Sequence, residues 1–123
     1  MKILIVEDEE ILVRVLEEKF LEKNLEVAVS YTGDKVLPLA RKFKPDIILL
    51  DIMLPKLDGI EVLKQLKADD ELCDIPVIML SNLNDDENIK RALSLGALDY
   101  MTKIQHPLDD VVEKVEGYIS KDR

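Results

Sequence analysis

A single cysteine, Cys73, and a single histidine, His106, stand in the whole chain. No intrachain disulfide can form. One thiol with one imidazole makes neither a zinc set nor a Cys-His catalytic pair. Cys73 reads as inert packing and His106 as a helix-start residue. There is no tryptophan. No apolar run approaches the roughly 20 residues that a membrane span needs. The opening MKILIVEDEE is broken by acids too early for a signal peptide. Cytoplasmic placement is the expectation, in keeping with the sparse cysteine. Positive charge is also scarce: 17 Lys and Arg against 26 Asp and Glu leave a net charge of −9. Phosphate backbones need a basic face, so direct nucleic-acid binding is disfavoured. Most of the acidity serves solubility; part can belong to a cluster of carboxylates.

What is present is a chain of 123 residues, 47% hydrophobic and 35% charged, enough for one domain with one core. Its most informative stretch is residues 45–59, PDIILLDIMLPKLDG. Four apolar residues, Ile47 to Leu50, stop at Asp51, as suits a strand buried on both faces. Similar runs stop at Glu7-Asp8 and Ser81, and a short mixed segment, ALDYMT over residues 97–102, delivers Lys103. Between them lie amphipathic segments: Leu12, Val13, Leu16 and Phe20 share one face, and Leu108, Val111, Val112, Val115 and Ile119 another. The spacing predicts β1 2–6, α1 9–23, β2 26–30, α2 33–43, β3 46–50, α3 58–68, β4 75–80, α4 85–95, β5 97–102 and α5 107–120, within one domain over residues 1–123. Strict alternation means a parallel sheet with helices on both faces and right-handed crossovers. The expected fold is α/β, a doubly wound five-stranded sheet in the flavodoxin-like order 2-1-3-4-5. Met1, Met53, Met79 and Met101 are expected to fill core or edge positions.

The carboxyl ends of parallel strands share one edge of a sheet. Glu7, Asp8, Asp51, Ser81 and Lys103 therefore converge, with the switch point between β1 and β3. Crowded carboxylates raise each other's pKa unless a cation offsets them. Oxygen ligands without nearby His or Cys suit Mg²⁺ rather than zinc. A carboxylate beside Mg²⁺, a lysine and a hydroxyl has the parts of phosphoryl transfer, with Asp51 as nucleophile and Lys103 and Ser81 on the phosphoryl oxygens. Singly, each has a plain explanation: an acid after a strand often caps a helix, and a lone lysine is usually solvated. Four strands ending in suitable residues are harder to dismiss.

Over essentially its whole length the chain resembles the receiver domain of bacterial two-component response regulators, of the chemotaxis-regulator type. The matching residues are Glu7-Asp8, Asp51, the run Leu54-Pro55-Lys56-Leu57-Asp58-Gly59, Ser81, Leu95-Gly96-Ala97, and Asp99-Tyr100 before Lys103. The resemblance implies that Asp51 accepts a phosphoryl group from a sensor histidine kinase or phosphotransfer protein. It implies Mg²⁺, for which Mn²⁺ can substitute, on Asp8, Asp51 and the Met53 backbone carbonyl, with Glu7 acting through water. It implies that Ser81 and Tyr100 form a switch relaying the state to the α4-β5-α5 face, where a homodimer could also form, with Lys90, Arg91, Asp99 and Lys114 available for cross-subunit pairs. Such a protein catalyses only its own phosphorylation and dephosphorylation.

Two residues depart from the family pattern. Ile104 stands where receivers carry Pro after a cis peptide. A cis bond to a non-proline costs about 3–4 kcal/mol, so Lys103–Ile104 is expected to be trans. Asn82 stands where Ala or Gly is usual; its amide could hinder the donor or position a hydrolytic water. These departures keep a phosphorylation-independent adaptor as the alternative reading. A Mg²⁺-dependent phosphatase ranks lower, because Met53 occupies the position where such enzymes place a second acid. Flavin binding is disfavoured by the lack of a phosphate loop after β1.

Overall fold

In the computed structural model, residues 1–83, 85–103 and 107–121 are described. They form β1 (Lys2–Val6), α1 (Glu10–Glu22), β2 (Glu26–Ser30), α2 (Val36–Phe43), β3 (Ile47–Leu50), α3 (Gly59–Ala68), β4 (Val77–Ser81), α4 (Asp86–Ser94), β5 (Asp99–Thr102) and α5 (Leu108–Lys121). The strands make one parallel sheet in the order β2-β1-β3-β4-β5.

Strand side chains alternate between two apolar layers. Leu4, Val6, Ile48, Leu50, Val77 and Met79 pack toward α2 and α3, meeting Val36, Ala40, Ile60, Leu63 and Leu66. Ile3, Ile5, Ile47, Leu49, Ile78, Leu80 and Met101 pack against Val13, Leu16 and Phe20 of α1 and Val111, Val112, Val115 and Ile119 of α5. Burying each Leu, Ile or Val contributes about 1.5–3 kcal/mol before conformational entropy is subtracted. The buried face of α1 is Val13, Leu16 and Phe20, with Leu12 at its flank. Met79 and Met101 are core residues, whereas Met53 is 63% exposed and fills nothing.

Three elements start two or three residues later than their residue patterns place them, and five others one residue later. At α2 the first helical residue is Val36, because Gly33 is held against another loop. The Gly33 N–H donates to the Pro55 carbonyl at 3.2 Å, and a Cβ there would lie 1.8 Å from the Leu57 carbonyl oxygen. At β4 the ladder starts at Val77, since Pro76 has no N–H to give and contributes only its carbonyl, to Ile48 N–H at 2.9 Å. Before β5, Gly96 at φ +106° reverses the chain, so regular pairing begins at Asp99.

Register sets the functional edge. Val6 pairs with Ser30 on one side and Leu50 on the other, while Leu50 pairs with Met79 and Ser81 with Thr102. The residues that follow these strands are therefore level. Downstream of β3 the loop is short and stiff: Lys56 takes φ 74°, and the Asp58 carboxylate caps α3 by accepting from Glu61 N–H at 3.0 Å. Asp58→Ala is expected to cost about 1 kcal/mol, the usual worth of such a cap, read as a lower urea midpoint. An unchanged midpoint would show that the cap is not used in solution.

Candidate functional site

Glu7, Asp8 and Asp51 come together at the carboxyl edge of the sheet. One carboxylate oxygen from each lies within 4.8 Å of the others. Glu7 and Asp51 are buried and Asp8 is exposed. The local sequence explains this. The Asp51 N–H closes the β1–β3 ladder on the Val6 carbonyl at 3.0 Å, which fixes its backbone, and its own Oδ1 accepts from Ile52 N–H at 2.7 Å. Glu7 Oε2 accepts from the N–H groups of Asp8 and Glu9, at 3.0 and 3.1 Å. Buried carboxylates need such partners.

Lys103 closes the site. Its Nζ lies 2.6 Å from Glu7 Oε1, 3.2 Å from Asp51 Oδ2 and 3.2 Å from Glu9 Oε1. Burial alone would lower the Lys103 pKa; the hydrogen bond to Glu7, with the charges of Asp51 and Glu7, outweighs it and pushes the pKa up to about 12. Glu7 moves from 4.5 to about 7: burial is the main cause, Lys103 opposes it, and the Asp51 charge adds to it.

Ser81, fully buried, and Tyr100 are joined through one backbone residue. Leu83 N–H donates to Ser81 Oγ at 3.3 Å, and Tyr100 Oη donates to the Leu83 carbonyl at 2.6 Å. The Tyr100 hydroxyl pKa is raised by burial, with the nearby Ser81 hydroxyl working the other way. Farther along, the Asp99 carboxylate accepts from Tyr118 Oη at 2.8 Å and pairs with Lys114 at 3.3 Å. Asp99 and Lys114 are thus partnered within the chain.

Beside Asp8 a groove runs between α3 and α4, bordered by Met53, Asp58, Glu61, Asn88 and Arg91. Asn82 is exposed directly after Ser81. Ile104 and His106 lie outside the described residues. One member of the site escaped the sequence pattern: Glu9. The acidic run Glu7 to Glu10 is visible, but nothing in it says which carboxylate turns toward a lysine 94 positions away.

A family model described as the response regulator receiver domain matches residues 3–116. The chain is 43% identical over 102 residues to the alkaline phosphatase synthesis transcriptional regulatory protein PhoP of Bacillus subtilis, covering 83% of this chain and 42% of that protein. It therefore spans less than half of that relative. Among solved structures, the receiver domain of Francisella response regulator 1452 superimposes with a TM-score of 0.89 at 31% identity, covering 99% of this chain and 98% of that one. The phosphorylated cyanobacterial phytochrome response regulator RcpA superimposes at 0.81 with 32% identity, covering 95% and 89% of the two chains.

Proposed function

This chain belongs to the response regulator receiver family, and on that premise we propose that it is a phosphorylation-controlled switch with Asp51 as phosphoacceptor. The observation that carries the reading is the placement of Asp51: buried at a strand end, 3.2 Å from Lys103 and within 4.8 Å of the Glu7 and Asp8 oxygens. A relative of the same fold, RcpA, has been solved phosphorylated.

In the proposed reaction an Asp51 carboxylate oxygen attacks phosphorus, and the bond from phosphorus to the donor's leaving group breaks. With a phosphohistidine donor the electron pair returns to the imidazole nitrogen, giving an aspartyl phosphate and a free histidine. The fixed Asp51 backbone and the Ile52 N–H on Oδ1 hold the nucleophile in one orientation. Lys103 supplies positive charge toward the phosphoryl oxygens, and Ser81 a hydroxyl donor.

Three carboxylates, with no histidine or cysteine donor among the described residues of the cluster, fit a hard cation such as Mg²⁺, or Mn²⁺ in its place. Asp8, Asp51 and the Met53 carbonyl would hold it, with Glu7 acting through water. Bound there, it would offset the carboxylates and draw charge from the phosphoryl oxygens. The Ser81–Leu83–Tyr100 connection supports a relay in which a hydroxyl drawn toward the phosphate loosens Leu83, and with it the Tyr100 anchor. That is a local charge event biasing a two-state element, carried to α4, β5 and α5. A histidine kinase or phosphotransfer protein is the donor this reading requires.

Acetyl phosphate with Mg²⁺ is expected to add one phosphoryl group per chain, mapped by mass spectrometry to Asp51, and EDTA to prevent it. Labelling at another residue, or equal labelling in EDTA, would overturn the assignment.

A further inference from the structure

The Lys103 ammonium has three N–H donors, and three carboxylates surround it. Two of those partners, Glu7 and Asp51, belong to the site itself. The third, Glu9, has no other side-chain partner among the described residues. It occupies the N-cap position of α1 yet makes no capping hydrogen bond with its side chain. Instead the side chain reaches across the mouth of the site to Lys103, where Glu9 is 55% exposed and Lys103 only 10%. An acid at a helix start would ordinarily gain from its own helix dipole and orphan N–H groups. Here that local bond is forgone for a long-range one.

We propose that Glu9 is a positioning residue that competes with the incoming phosphoryl group for Lys103 and so restrains the rate at which Asp51 is phosphorylated. The inference rests on the reading of Asp51 as phosphoacceptor. A phosphoryl oxygen can take an N–H from Lys103 only if a present acceptor yields it. Glu7 is held by a shorter ion pair and two backbone N–H groups, at 2.6, 3.0 and 3.1 Å. Asp51 is the group being modified. Glu9, half in water at 3.2 Å, is the partner that gives way at least cost. Each phosphorylation event must first break that contact, and each loss of phosphate lets it reform.

The test is a double-mutant cycle on the initial rate of phosphorylation by acetyl phosphate with Mg²⁺, followed by intact-protein mass spectrometry. Glu9→Gln keeps the length of the side chain and removes its charge. It is expected to raise the rate about twofold to fivefold, the range that an exposed ion pair corresponds to. In a Lys103→Gln background the same change is expected to do nothing, because the effect passes through Lys103. A merely structural Glu9 would not produce that coupling. An unchanged or slower rate in Glu9→Gln overturns the proposal. So does an equal gain in the Lys103→Gln background, which would mean that Glu9 only repels an anionic donor. Asp51→Asn, run alongside, separates the two readings: label retained there defeats the phosphoacceptor assignment, whereas label confined to Asp51 with no gain in Glu9→Gln defeats only the role of Glu9.

Discussion

Asp51→Asn is expected to take up no phosphoryl group from acetyl phosphate, with labelling falling to background while the protein stays folded. The amide has nearly the shape of the carboxylate but no anionic oxygen with which to attack phosphorus. Its oxygen can still accept from Ile52 N–H, the 2.7 Å bond that fixes the side chain. Lys103 loses one partner and retains Glu7 at 2.6 Å and Glu9 at 3.2 Å. Against that loss, one of three crowded carboxylates becomes neutral, so the urea midpoint should move by the equivalent of no more than about 1 kcal/mol. The pH dependence should change with it. In the metal-free protein Glu7 is raised from 4.5 to about 7, first by burial and in part by the Asp51 charge. A folded-state pKa above the unfolded one contributes stability that is complete below about 4.5 and lost as pH rises to about 7. Without the Asp51 charge that slope should become shallower. Urea titrations of both proteins in EDTA across this window measure it, and an unaltered slope would show that Asp51 does not act on Glu7.

Gly59→Ala should destabilise the protein by about 2–4 kcal/mol, far beyond an ordinary Gly→Ala change. A Cβ at residue 59 would lie 1.9 Å from the Asp51 carbonyl oxygen and 2.7 Å from the Ile52 Cα. Those are backbone atoms at the end of a central strand, with no rotamer to give way. The Gly59 N–H also donates to the Ile52 carbonyl at 2.7 Å, tying the start of α3 to the residue after Asp51. Any relief moves the backbone that aims the Asp51 side chain, so the folded fraction should phosphorylate more slowly as well. Gly117→Ala is the matched control. It lies in α5 with nothing within 4 Å of the added Cβ, and should stabilise by about 0.5–1 kcal/mol through helix propensity. Thermal or urea unfolding of the two variants should therefore give opposite signs. Equal small effects would mean that the Gly59 contact is looser in solution than 1.9 Å implies.

The two glycines also mark how far residue patterns reach. Alternation of apolar runs with amphipathic segments is a local property. Parallel pairing then places every strand end on one edge whatever the side-chain details. That is why Glu7, Asp8, Asp51, Ser81 and Lys103 could be gathered from their positions after strand-like segments, and why they do lie at one edge of the sheet. The starts of α2 and β4 depend instead on a contact between distant segments, Gly33 against Pro55 and Leu57, and on a missing donor, Pro76 in the ladder. Helix periodicity carries no trace of the former.

By itself, then, the amino-acid sequence determined the α/β architecture and the set of acids, hydroxyl and lysine at the carboxyl edge, because periodicity and strand-end position are written one residue at a time; the order 2-1-3-4-5 was expected from fold class and chain length, and the pairing of the strands bears it out. Only the tertiary structure decided which oxygens share Lys103. It alone turned Glu9 away from its own helix, linked Ser81 to Tyr100 through Leu83, and brought Gly59 against the Asp51 backbone. The physical reason is direction. A side chain's choice among partners of equal chemistry is settled by where packing leaves its last few ångströms of reach, and that is fixed only when the carboxyl ends of β1, β3 and β5 come together at one edge of the sheet.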